Sequence, residues 1–359
     1  MVIIHSHAKR KGHIPHSLII SKSPAAILDS EVMVALLNMG GPKTNADVPA
    51  FQTRLFNDHR LIRFPLSNIL QPVFAWGLVT FRSKASQKRY QLIGGGSPIY
   101  QSTENQVAAL KEELQRRGRG FEVIYSFNYT PPFPEDTIKA ISDAGKKYIL
   151  PLSLYPHYSS ATTGSNLHYL KAAAQKNYPA LQFLEVPSYH LHNGYIDGFI
   201  DRIQEAHKQN ESLNDFHLIF SAHGLPKYFL EEGDPYAFEI SQTVGAIVAR
   251  LQRSRAWGIA FQSAVGPIQW LEPNTEAVIV ALAKQGIKKI LIVPVAFVGD
   301  HIETTCEIDM EYRKIAEDLG VADFRMSKAL ECHPGFIRAL ADTVENVVST
   351  PKLAKNIYY

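Results

Sequence analysis

The chain has 359 residues, 45% of them apolar, and a formal net charge of +3. That length admits two ordinary domains, and so slight a basic excess argues against a dedicated nucleic-acid binder. Its two cysteines, Cys306 and Cys332, form no Cys-x-x-Cys pair. This argues against a disulfide framework, a structural zinc site and a four-cysteine iron–sulfur site, and fits a reducing compartment.

In chain order, residues 1–30 are basic and loosely patterned, and read as a tail without the apolar core of a secretory signal. "VMVALLNM" follows, a short apolar run without polar alternation, the pattern of a strand buried on both faces. No run reaches the length of a membrane span. The nearest, "PLSNILQPVFAWGLVTF" (Pro65–Phe81), is short and interrupted by Asn68, Gln71 and Pro72, while Leu66, Ile69, Leu70, Val73 and Phe74 keep helical spacing. Two readings stay open: a helix packed on the core, or an exposed apolar lip that touches a bilayer surface. "RYQLIGGGSPIY" (Arg89–Tyr100) is rich in glycine but matches neither phosphate-binding fingerprint, so a tight turn with close backbone packing is expected.

Further apolar runs, "FEVIYSF", "KYILPLSLY", "LQFLEV", "FHLIFSAHG", "AWGIAFQS" and "KKILIVPVAFV", are interspersed with helical patterns such as "TENQVAALKEELQRRG" and "EISQTVGAIVARLQR". Strand–helix alternation implies parallel sheets covered by helices. The halves also resemble each other. "LNMGGPK" lies over "SAHGLPK", with Met39 opposite His223, and "DAGKKYILPLSLYP" resembles "KQGIKKILIVPVAFVG". The expectation is an α/β chain of two similar doubly wound domains, over 31–185 and 186–332. A helix over 333–350 should return to the first. Ligands of open parallel sheets bind beyond the carboxyl ends of the strands. His223 should therefore point into a shared cleft, with Met39 facing it.

In "VAFVGDHIETTCEIDMEYRK" (Val295–Lys314) a strand is expected to end near Val298, with Asp300 capping a helix. Glu303, Glu307 and Glu311 then stand four apart, with Asp300 and His301 at the start. Like charges so spaced repel by roughly 0.2–0.5 kcal/mol per pair. A π-bulge would align them. A solvated acidic face and a path for a divalent cation both account for the row. Paired across a cleft with Glu303, His223 becomes a proton acceptor or a ligand for iron, cobalt, nickel or zinc. Tyr90, Tyr100, Tyr129, Tyr155, Tyr158, Trp270 and Phe297 lie near predicted turns and suit a large flat apolar ligand. Arg82 would meet a carboxylate on it.

From Met33 to Val348 the chain carries, in order, "LLNMGGP", "LIGGGSPIY", "YPHYSSATTGS", "FSAHGLP" with "GDPY", "FQSAVGPIQWLEP" and "VPVAFVGDHIETTCEIDMEY". In these it resembles the ferrochelatases, the terminal enzymes of haem synthesis. The resemblance implies two Rossmann-like domains around a porphyrin cleft, and insertion of Fe2+ into protoporphyrin IX with release of two protons. It implies His223 and Glu303 as the catalytic, metal-handling pair, and Asp300, His301, Glu307 and Glu311 as a proton or metal path. Met39, Arg82, Tyr90, Ser97, Trp270 and Phe297 match porphyrin contacts, and Tyr155 joins them from the aromatic set.

Relatives that metallate coproporphyrin tend to carry tyrosine at the place of Met39, so protoporphyrin IX is the expected substrate. Coproporphyrin III, cobalt or nickel insertion into another tetrapyrrole, and a non-catalytic haem carrier are the alternatives. Asn128 stands where some relatives have arginine, and Ala264 replaces a commonly basic residue. Ser160 stands where animal members place a cluster cysteine, and the cysteine-bearing C-terminal extension is absent. No iron–sulfur cluster and no permanently bound cofactor are therefore expected, with iron as substrate. The expected partners are the two substrates, a membrane surface touched transiently, and an upstream enzyme of the pathway. The expected location is the cytoplasm, peripheral to the inner membrane.

Overall fold

The computed structural model describes residues 27–63, 67–208, 211–252, 256–264 and 268–354. The expected tail as far as residue 26, and Pro65 and Leu66 of the apolar segment, lie outside them.

Strand β1 (Val32–Asn38) is buried along its whole length, the pattern of a parallel strand covered on both faces. It is followed by α1 (Val48–Phe56), α2 (Ser67–Leu92), α3 (Ile99–Arg116), β2 (Glu122–Phe127) and α4 (Pro134–Asp143). Then come β3 (Tyr148–Ser153), α5 (Ser165–Asn177) and the short β4 (Gln182–Phe183). All pairings are parallel, in the order β2-β1-β3-β4.

The second half comprises α6 (Asn193–Glu205), β5 (His217–His223), α7 (Lys227–Glu231), α8 (Tyr236–Arg250) and β6 (Trp257–Gln262). It continues with α9 (Thr275–Lys284), β7 (Lys289–Pro294), α10 (Arg313–Asp318), β8 (Asp323–Met326) and α11 (Pro334–Ser349). Its sheet order, β6-β5-β7-β8, repeats the first one strand for strand. The likeness between the halves of the sequence is thus a likeness of topology, with β1 equivalent to β5. Each order reverses direction beside its first strand, which is where doubly wound sheets receive ligands.

One continuous core runs through both sheets. It takes in Leu36 and Leu152 from the first, Phe220 and Val293 from the second, and Leu340 and Val344 from α11. Helix α11 packs against α3 and β3 and also against α6. Its start is set by Pro334 in the first turn and by the His333 ring, which accepts the Gly335 N–H at 3.1 Å.

Three local expectations are corrected. Strand β7 ends at Pro294, not near Val298. Proline brings no N–H to the ladder, and the turn over Val295–Val298 is as buried as the strand, so apolarity alone does not separate them. Strand β8 has no counterpart among the predicted strands, because only Phe324 of its four residues is buried. Helix α2 runs on to Leu92, so Tyr90 lies inside a helix and not at a turn. Helix α2 buries Gln71, Ala75, Ser83 and Tyr90, while Val73, Trp76 and Phe81 are 62%, 69% and 85% exposed, so it packs on the protein by one face and leaves an apolar face open.

Candidate functional site

Strand β5 delivers His223 at its carboxyl end, opposite Gln262 of β6. The ring Nδ1 stands 2.8 Å from Glu303 Oε2. Glu303 opens a π-helical stretch, Glu303–Tyr312, the wide turn expected for the acidic row. The cap of that stretch is Ile302, whose side chain offers no acceptor. His301 fills in, its Nδ1 accepting the Glu303 N–H at 3.1 Å. Asp300 is therefore not the cap. Its carboxylate accepts from Thr304 Oγ1 at 3.3 Å instead.

Phe297 packs edge-on against both imidazoles, with ring centres 4.1 Å from His301 and 6.3 Å from His223. Tyr236 donates its hydroxyl to the His223 carbonyl at 3.0 Å. Trp270 bridges to Pro226, beside the turn that follows His223.

The facing wall comes from the first half. Tyr155, just beyond β3, donates to Asn38 Oδ1 at 2.7 Å, and its oxygen receives the Met39 N–H at 3.3 Å. Ser97 sits on the glycine loop, and its N–H reaches the Pro42 carbonyl at 2.8 Å. A Cβ on Gly96 would lie 2.2 Å from the Lys43 carbonyl oxygen, so the Ser97 and Met39 loops touch backbone to backbone. Burial foremost, with the charge of Glu303 adding to it, raises the phenol pKa of Tyr90, Tyr155 and Tyr236. Side chains from both halves thus lie within the field of one carboxylate. Arg82 lies exposed on α2, and no contact among the described residues joins it to the His223–Glu303 pair.

The three glutamates of the row meet three different partners. Glu303 meets His223. Glu307 accepts from Ser263 N at 2.9 Å, Ser263 Oγ at 2.6 Å and Tyr312 Oη at 2.6 Å. Glu311 pairs with Arg89 of α2 at 2.7 Å. A second ion pair, Arg63 with Glu232, ties the chain just before α2 to the end of α7. The sequence reading did not flag Asn38, Arg89, Tyr236, Ser263 or Tyr312. Tyr236 had a signal in "GDPY", and the others act only through tertiary contacts.

Burial opposes charge on His223, but the adjacent Glu303 outweighs it and holds the imidazole pKa above its usual value. Burial likewise opposes charge on Glu303. His223, its hydrogen bond and His301 outweigh that and hold the carboxyl well below its usual range. His223 therefore keeps its proton to higher pH than a free imidazole, and Glu303 stays ionised to lower pH than a free carboxyl. Burial lowers the pKa of His301, in keeping with a neutral ring that accepts at Nδ1. Both members of the pair remain partly open, with side-chain exposures of 36% and 30%.

An imidazole–carboxylate pair thus lies at the carboxyl end of one parallel sheet, with tyrosines of the other half within reach of its charge. The comparisons with known proteins give the family. The sequence model of the ferrochelatase family matches residues 31–348. A ferrochelatase of Nostoc sp. is 40% identical over 324 residues, covering 89% of this chain and 83% of its own. That of Gloeobacter violaceus is 39% identical over 318 residues, covering 88% and 97%. The chain belongs to the ferrochelatase family, and it is an enzyme that inserts iron into a porphyrin. Among solved structures, SirB from Bacillus subtilis with Fe3+ aligns with a TM-score of 0.50 at 18% identity, covering 69% of this chain and 90% of that one. At that identity the likeness speaks to the fold alone.

Proposed function

We propose that the enzyme inserts ferrous iron into protoporphyrin IX and that His223 and Glu303 are the reacting pair. The observation that carries the assignment is the 2.8 Å contact between them at the sheet end. The obstacle is the planar ring, whose central hole already holds two N–H hydrogens. Buckling the ring turns a nitrogen lone pair outward, and such distortion contributes about 1–5 kcal/mol. Nδ1 of His223 is engaged by Glu303, so Nε2 is the atom that takes a pyrrole proton. The carboxylate stabilises the imidazolium that forms. Two protons leave as one divalent iron enters, and charge balances.

The remaining assignments follow from the same frame. Met39, Tyr90, Tyr155, Trp270 and Phe297 form the apolar walls, while Arg82 and Ser97 orient the propionates. Asp300 and His301, beside Glu303, carry ions to and from it, with Glu307 and Glu311 further out. Met39 stands where relatives that metallate coproporphyrin tend to carry tyrosine, which favours protoporphyrin IX. Iron is a substrate, and the enzyme works without a resident cofactor. Two cysteines cannot supply a four-thiolate cluster. No described helix is long and apolar enough to cross a membrane. The exposed Val73, Trp76 and Phe81, followed by Arg82, Lys84 and Lys88, suit contact with a bilayer surface. There, at the cytoplasmic face of an inner membrane, the ring would arrive from an upstream enzyme.

The deciding experiment follows free-porphyrin fluorescence after mixing enzyme, ring and metal. Protoporphyrin IX with ferrous iron or zinc should lose its emission fastest. Faster turnover of coproporphyrin III, or of sirohydrochlorin with cobalt, would overturn the substrate. Tight haem binding without any zinc insertion would indicate a carrier. Sedimentation with anionic vesicles, for wild type against Trp76→Ser with Phe81→Ser, tests the surface contact.

A further inference from the structure

The turn that introduces the π-helical stretch is held from outside by a residue that no sequence motif absorbs. Glu331 lies between β8 and α11 with φ at +48°. That is the left-handed region, which glycine and asparagine enter easily and glutamate does not. A side chain kept at such a place points to a task for it. Its Oε1 accepts the Asp300 N–H at 2.6 Å and the hydroxyl of Ser102 at 2.9 Å. Ser102 belongs to α3, in the first half of the chain. The Glu331 N–H is itself bonded to the Val298 carbonyl at 2.7 Å, and the Gln106 side chain reaches the same carbonyl at 3.3 Å. Gly299, between Val298 and Asp300, has little room for more. A Cβ there would sit 3.2 Å from Ser102 Cβ and 3.4 Å from Glu331 Oε1.

The segment Val298–Asp300 is thus gripped on three sides immediately before His301 and Glu303. Where Asp300 goes, the two following side chains go. We propose that Glu331 is a positioning residue for iron insertion: one carboxylate oxygen, braced by Ser102, fixes the Asp300 N–H and so sets the spacing of Glu303 from His223. This rests on that pair being the reacting centre. Glu331 touches neither ring nor metal and acts only through the turn.

The test is zinc insertion into protoporphyrin IX by the full-length enzyme, with porphyrin KM, turnover number and thermal midpoint measured for each variant. Glu331→Gly relieves the left-handed backbone but removes the oxygen. Turnover should fall about tenfold or more, as for a small misplacement of a catalytic group. Porphyrin KM and thermal midpoint should hold. Glu331→Gln presents an amide oxygen at the same reach and should restore most of the rate. Glu331→Asn tolerates the same backbone but is one methylene shorter. It should be slow like the glycine variant, and it serves if that variant fails to fold. Wild-type turnover in the glycine or asparagine variant overturns the proposal. So does a glutamine variant as slow as the other two, or a lower thermal midpoint with turnover unchanged. Glu303→Gln, run alongside, separates the two levels. If it turns over normally, the reacting pair is misassigned. If it is inactive while Glu331→Gly is unimpaired, only the positioning role falls.

Discussion

The Glu303 carboxylate stands 2.8 Å from the Nδ1 of His223, although eighty positions separate the two residues in the chain. The neighbouring strands β5 and β7 of one sheet, and the wide helical turn after β7, bring them together. Replacing His223 with alanine should abolish turnover while leaving porphyrin binding, read by quenching of protein fluorescence, close to wild type. Near-normal turnover in that variant would remove the imidazole from the mechanism.

The pair also fixes a pH dependence. Glu303 holds the His223 pKa above its usual value of 6.5, so the proton-accepting form develops only above that pH. The rising limb of kcat/KM against pH should lie there. Glu303→Gln removes the charge that raises the imidazole pKa. The limb should move to lower pH, while the plateau rate drops by on the order of a hundredfold or more. A limb that stays in place would show that another group titrates.

Glu307 is held differently. Its carboxylate collects two N–H or O–H donors from Ser263 and a third from Tyr312. In Glu307→Gln the new amide turns an N–H2 group toward donors, and the loss should appear as stability, about 1–3 kcal/mol in urea unfolding. Turnover should fall less than in Glu303→Gln. An equal loss would give Glu307 a chemical role.

The glycine loop carries a steric prediction. A methyl at position 96 would meet the Lys43 carbonyl oxygen at 2.2 Å, so Gly96→Ala must push the Ser97 loop from the Met39 loop. Porphyrin KM should rise several-fold, with a smaller change in turnover number and about 1–3 kcal/mol lost from overpacking. An unchanged KM would place the ring elsewhere.

His157 is 1% exposed and bonded to Thr243 at 2.8 Å. Burial foremost, with His190 nearby, pushes its pKa down to about 3. An unfolded chain takes up this proton near pH 6.5, the folded chain only near 3, so stability falls as pH drops from 6.5 toward 3. His157→Gln should flatten that loss, measured as urea midpoints at pH 7 and pH 5. A wild-type slope in the variant would assign the acid sensitivity to another group.

The strands β1, β3 and β5 were legible because they are buried on both faces and leave unbroken apolar runs. The repeat was legible because both halves turn after an equivalent strand, at Met39 and at His223. Glu303 stood out by its spacing from Glu307 and Glu311. The pairing of Glu303 with His223 was legible, but the partners of Glu307 and Glu311 were not, since Ser263, Tyr312 and Arg89 come near only in three dimensions. Apolar periodicity on α2 marked a face but not its direction, and Trp76 and Phe81 turn out to face solvent. Strand β8 escaped because one buried residue, Phe324, leaves no pattern.

The continuous core that joins Leu36 to Phe220 and both to Leu340 bears on how a rigid guest is handled. Close-packed interiors compress little. Jaws rooted in a single casting keep their gap when something planar is pressed between them. In the proposed reaction the compliance then has to come from the guest, with the protein as the mould to which the ring is bent.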